Sequence, residues 1–219
     1  MDWIDIHTHK PGQGIYVLDS CLGEIEIPKT SVVYHSLGIH PLLIDEHSAK
    51  RLEDIEESAA MGKIVAIGEA GLDRTSLTSF SEQFYWFREQ AKIAAHYHLP
   101  LLIHGVRAIP EIIALHNDFR EHQNWIIHGF NYRKELLLDL LRHGFFISVG
   151  CHILNQESNI YRNLLEIPDE YLFLETDDSV CSIEEIYQAV AIRKGIAIEE
   201  LQRIIKLNFE RVFYHGMVK

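Results

Sequence analysis

Asp2-Trp3-Ile4-Asp5-Ile6-His7-Thr8-His9 opens the chain as an apolar, β-branched run ending in an Asp-x-His-x-His signature. Side chains alternate along a strand, so His7 and His9 share one face, and two imidazoles near a strand end can grip one metal ion. A polar strand face produces the same alternation, so the stretch takes its meaning from the rest of the chain. Five further apolar runs, around Val65, Leu102, Ile126, Phe146 and Phe173, each end close to a Glu, His, Gly or Asp.

Helical patterns separate these runs. Ser48 is placed to cap a helix with Leu52, Ile55 and Ala59 on one face, and Ser79 with Glu82 fits a capping box ahead of Phe84, Phe87, Ala91 and Ala94. Pro110 suits a first helical turn, Gly144 and Gly195 are helix stops, and Ser182 with Glu185 caps another helix. Strands alternating with helices indicate a parallel sheet with helical crossovers. Several strands are apolar on both faces until their last residue, as expected where a barrel interior and a helix layer bury both sides. The expectation is one α/β domain over residues 1–219, a TIM-type (β/α) barrel with its sites at the C-terminal strand ends. Ile15 to Leu18 follows the opening strand too closely for a helical crossover, so the barrel is expected to be abbreviated or irregular there. No Gly-rich phosphate fingerprint follows any strand, which argues against an open nucleotide-binding sheet.

Length and composition are those of a soluble globular protein: 219 residues, 47% hydrophobic and 24% charged. No segment reaches the roughly 18 apolar residues of a membrane span. The signature begins at the N-terminus, which leaves no signal peptide to read, so the chain is expected in the cytoplasm. Cys21, Cys151 and Cys181 are widely spaced and odd in number, which argues for reduced thiols rather than a disulfide framework or a structural zinc site. A formal charge of −12 opposes a long basic track along duplex DNA. It leaves room for a phosphate in a metal pocket, because two divalent ions concentrate positive charge at one spot.

Taken together, His7, His9, Glu69, His104, His128 and Asp177 place four imidazoles and two carboxylates at the strand ends of one barrel. Such a set can hold two divalent ions, with a carboxylate bridging them. The chain resembles the TatD-type metal-dependent deoxyribonucleases, a branch of the amidohydrolase superfamily. The matching motifs are Asp5-x-His7-x-His9, Gly38-Ile39-His40-Pro41, Gly68-Glu69-Ala70-Gly71-Leu72-Asp73, Pro100 to His104, His128-Gly129-Phe130, Glu175-Thr176-Asp177, Asn208 and Arg211-Val212-Phe213. The resemblance implies that His7, His9 and Asp177 hold one metal ion and His104 and His128 the second, with Glu69 bridging and His40 lining the pocket. It implies two divalent ions (Zn, Mg or Mn), and DNA ends or short oligonucleotides as substrate. Three departures stand out. The usual first helix is missing, Gly105-Val106-Arg107-Ala108 replaces a Ser-Arg-Asp-Ala sequence, and Asp178-Ser179-Val180 replaces an Ala-Pro or Ser-Pro turn.

The expected chemistry is attack on phosphorus by water activated between the ions, with Asp177 as general base as well as ligand. Arg74 and Arg107 are candidate phosphate contacts, and His152 is a candidate pocket donor. Asp73 is expected to orient a loop or a ligand. Neither a protein partner nor an oligomeric state can be read. Two other readings stay open: a dinuclear hydrolase of a small ester, lactone or amide, and a metal-binding relative that has lost turnover.

Overall fold

The computed structural model describes residues 3–10, 12, 14–19, 31–119 and 124–213; Cys21 lies outside them. Eight strands form one sheet in sequential order: β1 (Ile4–Thr8), β2 (Ile15–Asp19), β3 (Val32–Leu37), β4 (Ala66–Asp73), β5 (Leu101–Val106), β6 (Trp125–Ile127), β7 (Phe146–Val149) and β8 (Leu172–Leu174). Every neighbouring pair is parallel. Among the described residues the sheet closes through one parallel bridge, between Thr8 and Asp177. There Asp177 N donates to the His7 carbonyl at 2.9 Å, and His9 N donates to the Asp177 carbonyl at 3.2 Å. The result is the expected TIM-type barrel, and its seam is made by three of the candidate ligand residues.

The helices are α1 (Ser48–Ala60), α2 (Phe80–Tyr97), α3 (Ile109–Asp118), α4 (Lys134–Arg142), α5 (Asn159–Asn163), α6 (Ile183–Lys194) and α7 (Ile198–Phe213). Ser182 and Glu185 form the full reciprocal capping box of α6, and Ser79 accepts from Glu82 N at the start of α2. Ser48 differs from expectation. It is the first residue inside α1, and its hydroxyl accepts from Asp45 N at 3.0 Å, which shapes the preceding loop instead of capping the helix.

All eight residues of β4 are buried, as are all of β6, β7 and β8. Burial on both faces is what a barrel interior and an outer helix layer require. Trp125 of β6 is fully buried and meets Phe87 of α2 and Phe145 edge-on at 5.5 and 5.8 Å. Truncating such a ring typically costs about 3–5 kcal/mol. Asn208 of α7 donates to the carbonyls of Asp169 and Leu172 at 2.7 and 2.9 Å, so its amide holds the start of β8.

Two irregularities position the site. β1 and β2 pair in parallel, Ile4 beside Ile15, with no helix between them among the described residues, so the abbreviation lies where the sequence placed it. Their register shifts between Asp5 and Thr8, the step that contains His7. β4 and β5 shift between Ile67 and Ala70, the step that contains Glu69. Bulges of this kind re-aim a side chain without ending the strand. Glu69 therefore lies inside β4, which continues to Asp73, and does not end the strand as the sequence pattern suggested. Gly71 lets the two strands approach beyond the bulge, because a Cβ there would fall on the His104 carbonyl oxygen.

Candidate metal centre

The six side chains converge at the C-terminal mouth around the carboxylate of Glu69, whose two oxygens face different partners. Oε2 lies 3.4 Å from His7 Nε2 and 3.7 Å from His9 Nε2. Oε1 lies 2.8 Å from His104 Nδ1, 2.8 Å from His128 Nε2 and 3.2 Å from His40 Nε2. Asp177 completes the first side, with Oδ1 at 3.5 Å from His7 Nε2 and 3.3 Å from His9 Nε2. His7, His9, Glu69 and Asp177 thus offer ligand atoms within 4.8 Å of one another, and His40, Glu69 and His104 do the same on the second side. His128 shares the Glu69 oxygen of that second side.

The donors suit a divalent ion. His7 is completely buried, and among the described residues neither of its ring nitrogens has a hydrogen-bond partner. A buried imidazole left in that state is costly, and a cation facing Nε2 satisfies it. Three other imidazoles have a carboxylate behind the ring, the usual way a metal-binding histidine is oriented. Asp73 Oδ2 is 3.0 Å from His104 Nε2, Glu175 Oε1 is 3.4 Å from His128 Nδ1, and Asp19 Oδ2 is 3.9 Å from His9 Nδ1. Asp73 is itself fixed by Thr75, through the backbone N–H at 2.7 Å and the hydroxyl at 2.6 Å. Sequence reasoning anticipated an orienting role for Asp73 and missed Asp19 and Glu175. Glu175 was visible as part of a motif, but Asp19 carried no local signal because it comes from the abbreviated strand.

Without a cation the cluster holds protons instead. Burial opposes charge on His7, yet the adjoining Asp177 and Glu69 carboxylates raise its pKa well above the usual imidazole value. His9, beside Asp177 and Glu69, is raised to about 9. His128 is raised to about 10, because Glu69 and Glu175 outweigh the opposing effect of burial. Burial pushes Glu69 and Asp177 upwards, but the surrounding imidazoles hold both well below the ordinary carboxylate range. A divalent ion would replace those protons with a fixed charge.

Asp5 ties the seam together beneath this cluster. Its Oδ1 accepts from Thr176 N at 3.1 Å and His7 N at 3.3 Å, and its Oδ2 accepts from the Thr176 hydroxyl at 2.6 Å. Asp177, the next residue, has a left-handed backbone (φ 55°). Asp tolerates that conformation better than most residues, and it occurs preferentially where surrounding structure enforces it. Burial, only partly offset by Thr176, raises Asp5 to about 7.

The other predicted residues are placed differently. His40 joins the centre through Glu69, and Leu42 N donates to its Nδ1 at 3.1 Å. Arg74 is already engaged: Nε donates to the Arg107 carbonyl at 3.0 Å, the guanidinium pairs with Glu111, and it lies 4.2 Å over the Phe80 ring. Arg107 is exposed, and among the described residues its side chain has no ion pair. His152 is exposed and lines a mouth cavity of about 230 Å³ with His104, His128, Tyr132, Cys151 and Asp177.

Over residues 18–214 the chain matches the family described as TatD related DNase. The chain belongs to the TatD related DNase family. The matched stretch begins after His7 and His9, so closure of the barrel rather than the match itself brings the opening signature to the other candidate ligands. Among curated relatives, an uncharacterized metal-dependent hydrolase of Bacillus subtilis is 26% identical over 85% of this chain and 80% of its own length. A protein of Pantoea ananatis named 3'-5' ssDNA/RNA exonuclease TatD is 27% identical over 82% of this chain and 77% of its own. The Escherichia coli TatD homologue YjjV has the same fold, with a TM-score of 0.78 at 20% identity over 96% of this chain and 97% of that one. A TatD family hydrolase of Entamoeba histolytica gives 0.79 at 17% identity over 98% and 99%. Among the described residues no helix is long and apolar enough to cross a membrane.

Proposed function

We propose that this protein is a metal-dependent phosphodiesterase that removes nucleotides from DNA ends or short oligonucleotides. The observation that carries the reading is the division of the Glu69 carboxylate, with Oε2 turned to His7 and His9 and Oε1 to His104 and His128. That arrangement suits a bridge between two ions. His7, His9 and Asp177 are assigned to one and His104 and His128 to the other, while His40 is assigned to the substrate. The printed activities of relatives support the substrate class: a 3'-5' ssDNA/RNA exonuclease and a deoxyribonuclease named Tat-D in Schizosaccharomyces pombe.

When bound, a pair of divalent ions supplies a water acidic enough to ionise near pH 7 and positive charge for the non-bridging phosphate oxygens. The residues of the chain do the rest. Asp177 is the general base. Its side chain is 35% exposed, against 22% for His9 and 0% for His7, so it is the most accessible member of the first set and the carboxylate among its exposed groups. Asp73 and Glu175 fix the rings of His104 and His128. Arg107, exposed and without an ion pair among the described residues, is assigned to the phosphate. Arg74 is assigned to the packing of the α2 and α3 ends.

The test is release of nucleotides from labelled single-stranded DNA by purified protein with added Mg, Mn or Zn. Release is expected, and Glu69→Ala or His128→Ala should abolish it. The engagement of Arg74 by Glu111 and the Arg107 carbonyl removes one of the two candidate phosphate contacts, which favours a second reading as a hydrolase of small esters or lactones. Hydrolysis of such esters with no nucleotide release under any of these metals would select it.

A further inference from the structure

Gln83 and Gln90 lie seven residues apart on α2, so two helical turns bring them back to one face, about 10 Å apart along the axis. Phe87 lies between them on that face and is fully buried, and the two glutamines are 1% and 0% exposed. A primary amide in an apolar layer is costly unless both of its ends are bonded. Here both amides are bonded to backbone, and that backbone stands beside the metal centre. Gln83 Oε1 accepts from Asp73 N at 2.8 Å, and its Nε2 donates to the Thr78 carbonyl at 2.8 Å. Gln90 pairs with both backbone groups of Ile39: its Oε1 accepts from the amide at 2.7 Å, and its Nε2 donates to the carbonyl at 3.2 Å. Ile39 stands beyond the end of β3, so the side chain supplies the two bonds that a neighbouring strand would have made.

Each of these backbone positions carries a group on the second side of Glu69. Asp73 sets the His104 ring from behind, with Oδ2 3.0 Å from Nε2. Ile39 precedes His40, whose Nε2 is 3.2 Å from Glu69 Oε1 and whose ring meets that of His104 edge-on at 4.4 Å. The two loops are also tied to each other, because Ser76 Oγ donates to the Pro41 carbonyl at 3.1 Å. On the first side, the Asp5 seam holds the backbone of His7 and Thr176.

We propose that Gln83 and Gln90 are positioning residues for the second half of the centre. Gln83 acts through Asp73 on the ion at His104 and His128, and Gln90 acts through Ile39 on His40 and so on the substrate. The two halves are thereby assembled by separate devices, the barrel seam for one and a single face of α2 for the other. The role of Gln83 rests on the two-ion reading of Glu69, and that of Gln90 on the assignment of His40 to an oligonucleotide. Methionine in place of either glutamine keeps the length of the side chain and removes both bonds. The end of β4, or the turn after β3, then loses the contact that fixes it against α2.

The experiment is a calorimetric titration of Mn into the metal-free full chain, with nucleotide release from single-stranded DNA measured on the same samples. In Gln83→Met one of the two affinities should fall about tenfold while the other holds. In Gln90→Met both affinities should hold while kcat/KM falls about tenfold. Phe87→Leu is the packing control on the same face: it should lower the melting temperature and move neither affinity. Unchanged affinities in Gln83→Met, or an equal fall in both, overturn the role of Gln83. An unchanged kcat/KM in Gln90→Met, or a lost ion, overturns that of Gln90. If the unsubstituted chain takes up one ion, the two-ion reading fails, and Gln83→Met must still weaken that ion for its role to stand. If the unsubstituted chain releases no nucleotide, the nuclease reading fails and the role of Gln90 with it, while that of Gln83 is still decided by the titration.

Discussion

Replacing Asp5 with alanine removes the acceptor that joins the first strand to the last, and the structure sets the size of the effect. Thr176 N and His7 N lose this acceptor, whereas the Thr176 hydroxyl keeps a second one in Thr8 Oγ1 at 3.0 Å. Each buried donor left unsatisfied costs about 1–3 kcal/mol. In the opposite direction, the substitution removes a buried carboxyl whose raised pKa means that its ionised form destabilises the fold above about pH 7. These terms largely cancel in global stability, so a melting curve is a poor assay. Metal affinity is the sensitive one, because Thr176 precedes Asp177 and the His7 amide belongs to the same clamp. Loss of an orienting partner outside the ligands typically weakens metal binding by about 10–100-fold, or roughly 1.4–2.8 kcal/mol. Titration of Mn or Zn into metal-free protein should show that loss for Asp5→Ala, and a smaller one for Thr176→Val, which keeps the backbone bond to Asp5. An unchanged affinity in Asp5→Ala would refute the seam as the device that assembles the first ligand set.

Three other outcomes follow from the same geometry. Glu175→Gln leaves His128 without its charged partner and should weaken metal binding by about tenfold with the fold intact, measured by the same titration. Arg107→Ala should raise KM for oligonucleotides with little change in kcat, whereas Arg74→Ala should leave KM unchanged, because its guanidinium is held by Glu111 and the Arg107 carbonyl; steady-state kinetics separate the two. The pH dependence has opposite signs for stability and binding. His9 and His128 are raised to about 9 and about 10 in the metal-free protein. Their stabilisation is fully present below about pH 6.5 and is lost as pH rises through those values. Denaturant midpoints of the metal-free chain should fall over that range while metal affinity rises, since the ion competes with the same protons.

The barrel was legible because apolar runs mark its strands and caps or stops mark several of its helices, Ser79 at α2 and Ser182 with Gly195 at α6. The gathering of His7, His9, Glu69, His104, His128 and Asp177 follows from strand order, which alternation alone implies. What escaped the sequence depends on contacts between distant segments. The strand containing Glu69 runs on to Asp73 because a bulge against β5 turns the carboxylate inward, and nothing local marks that bulge. Ser48 has the composition of a cap, but its hydroxyl serves the Asp45 loop. The sequence excluded a helical crossover after the first strand, yet parallel pairing of β1 with β2 rests on ladder bonds that no pattern predicts. Arg74 sits beside the site in sequence and is turned away by Glu111, from a helix that follows β5.

In the proposed function Glu69 joins two ions in one hydrolytic centre. That bridge is tested most directly by following nucleotide release from single-stranded DNA while Mn is titrated into metal-free protein of known concentration. Release is expected to reach its plateau at two equivalents of metal per chain and to vanish in Glu69→Ala. A plateau at one equivalent, or release that survives the loss of Glu69, would contradict it.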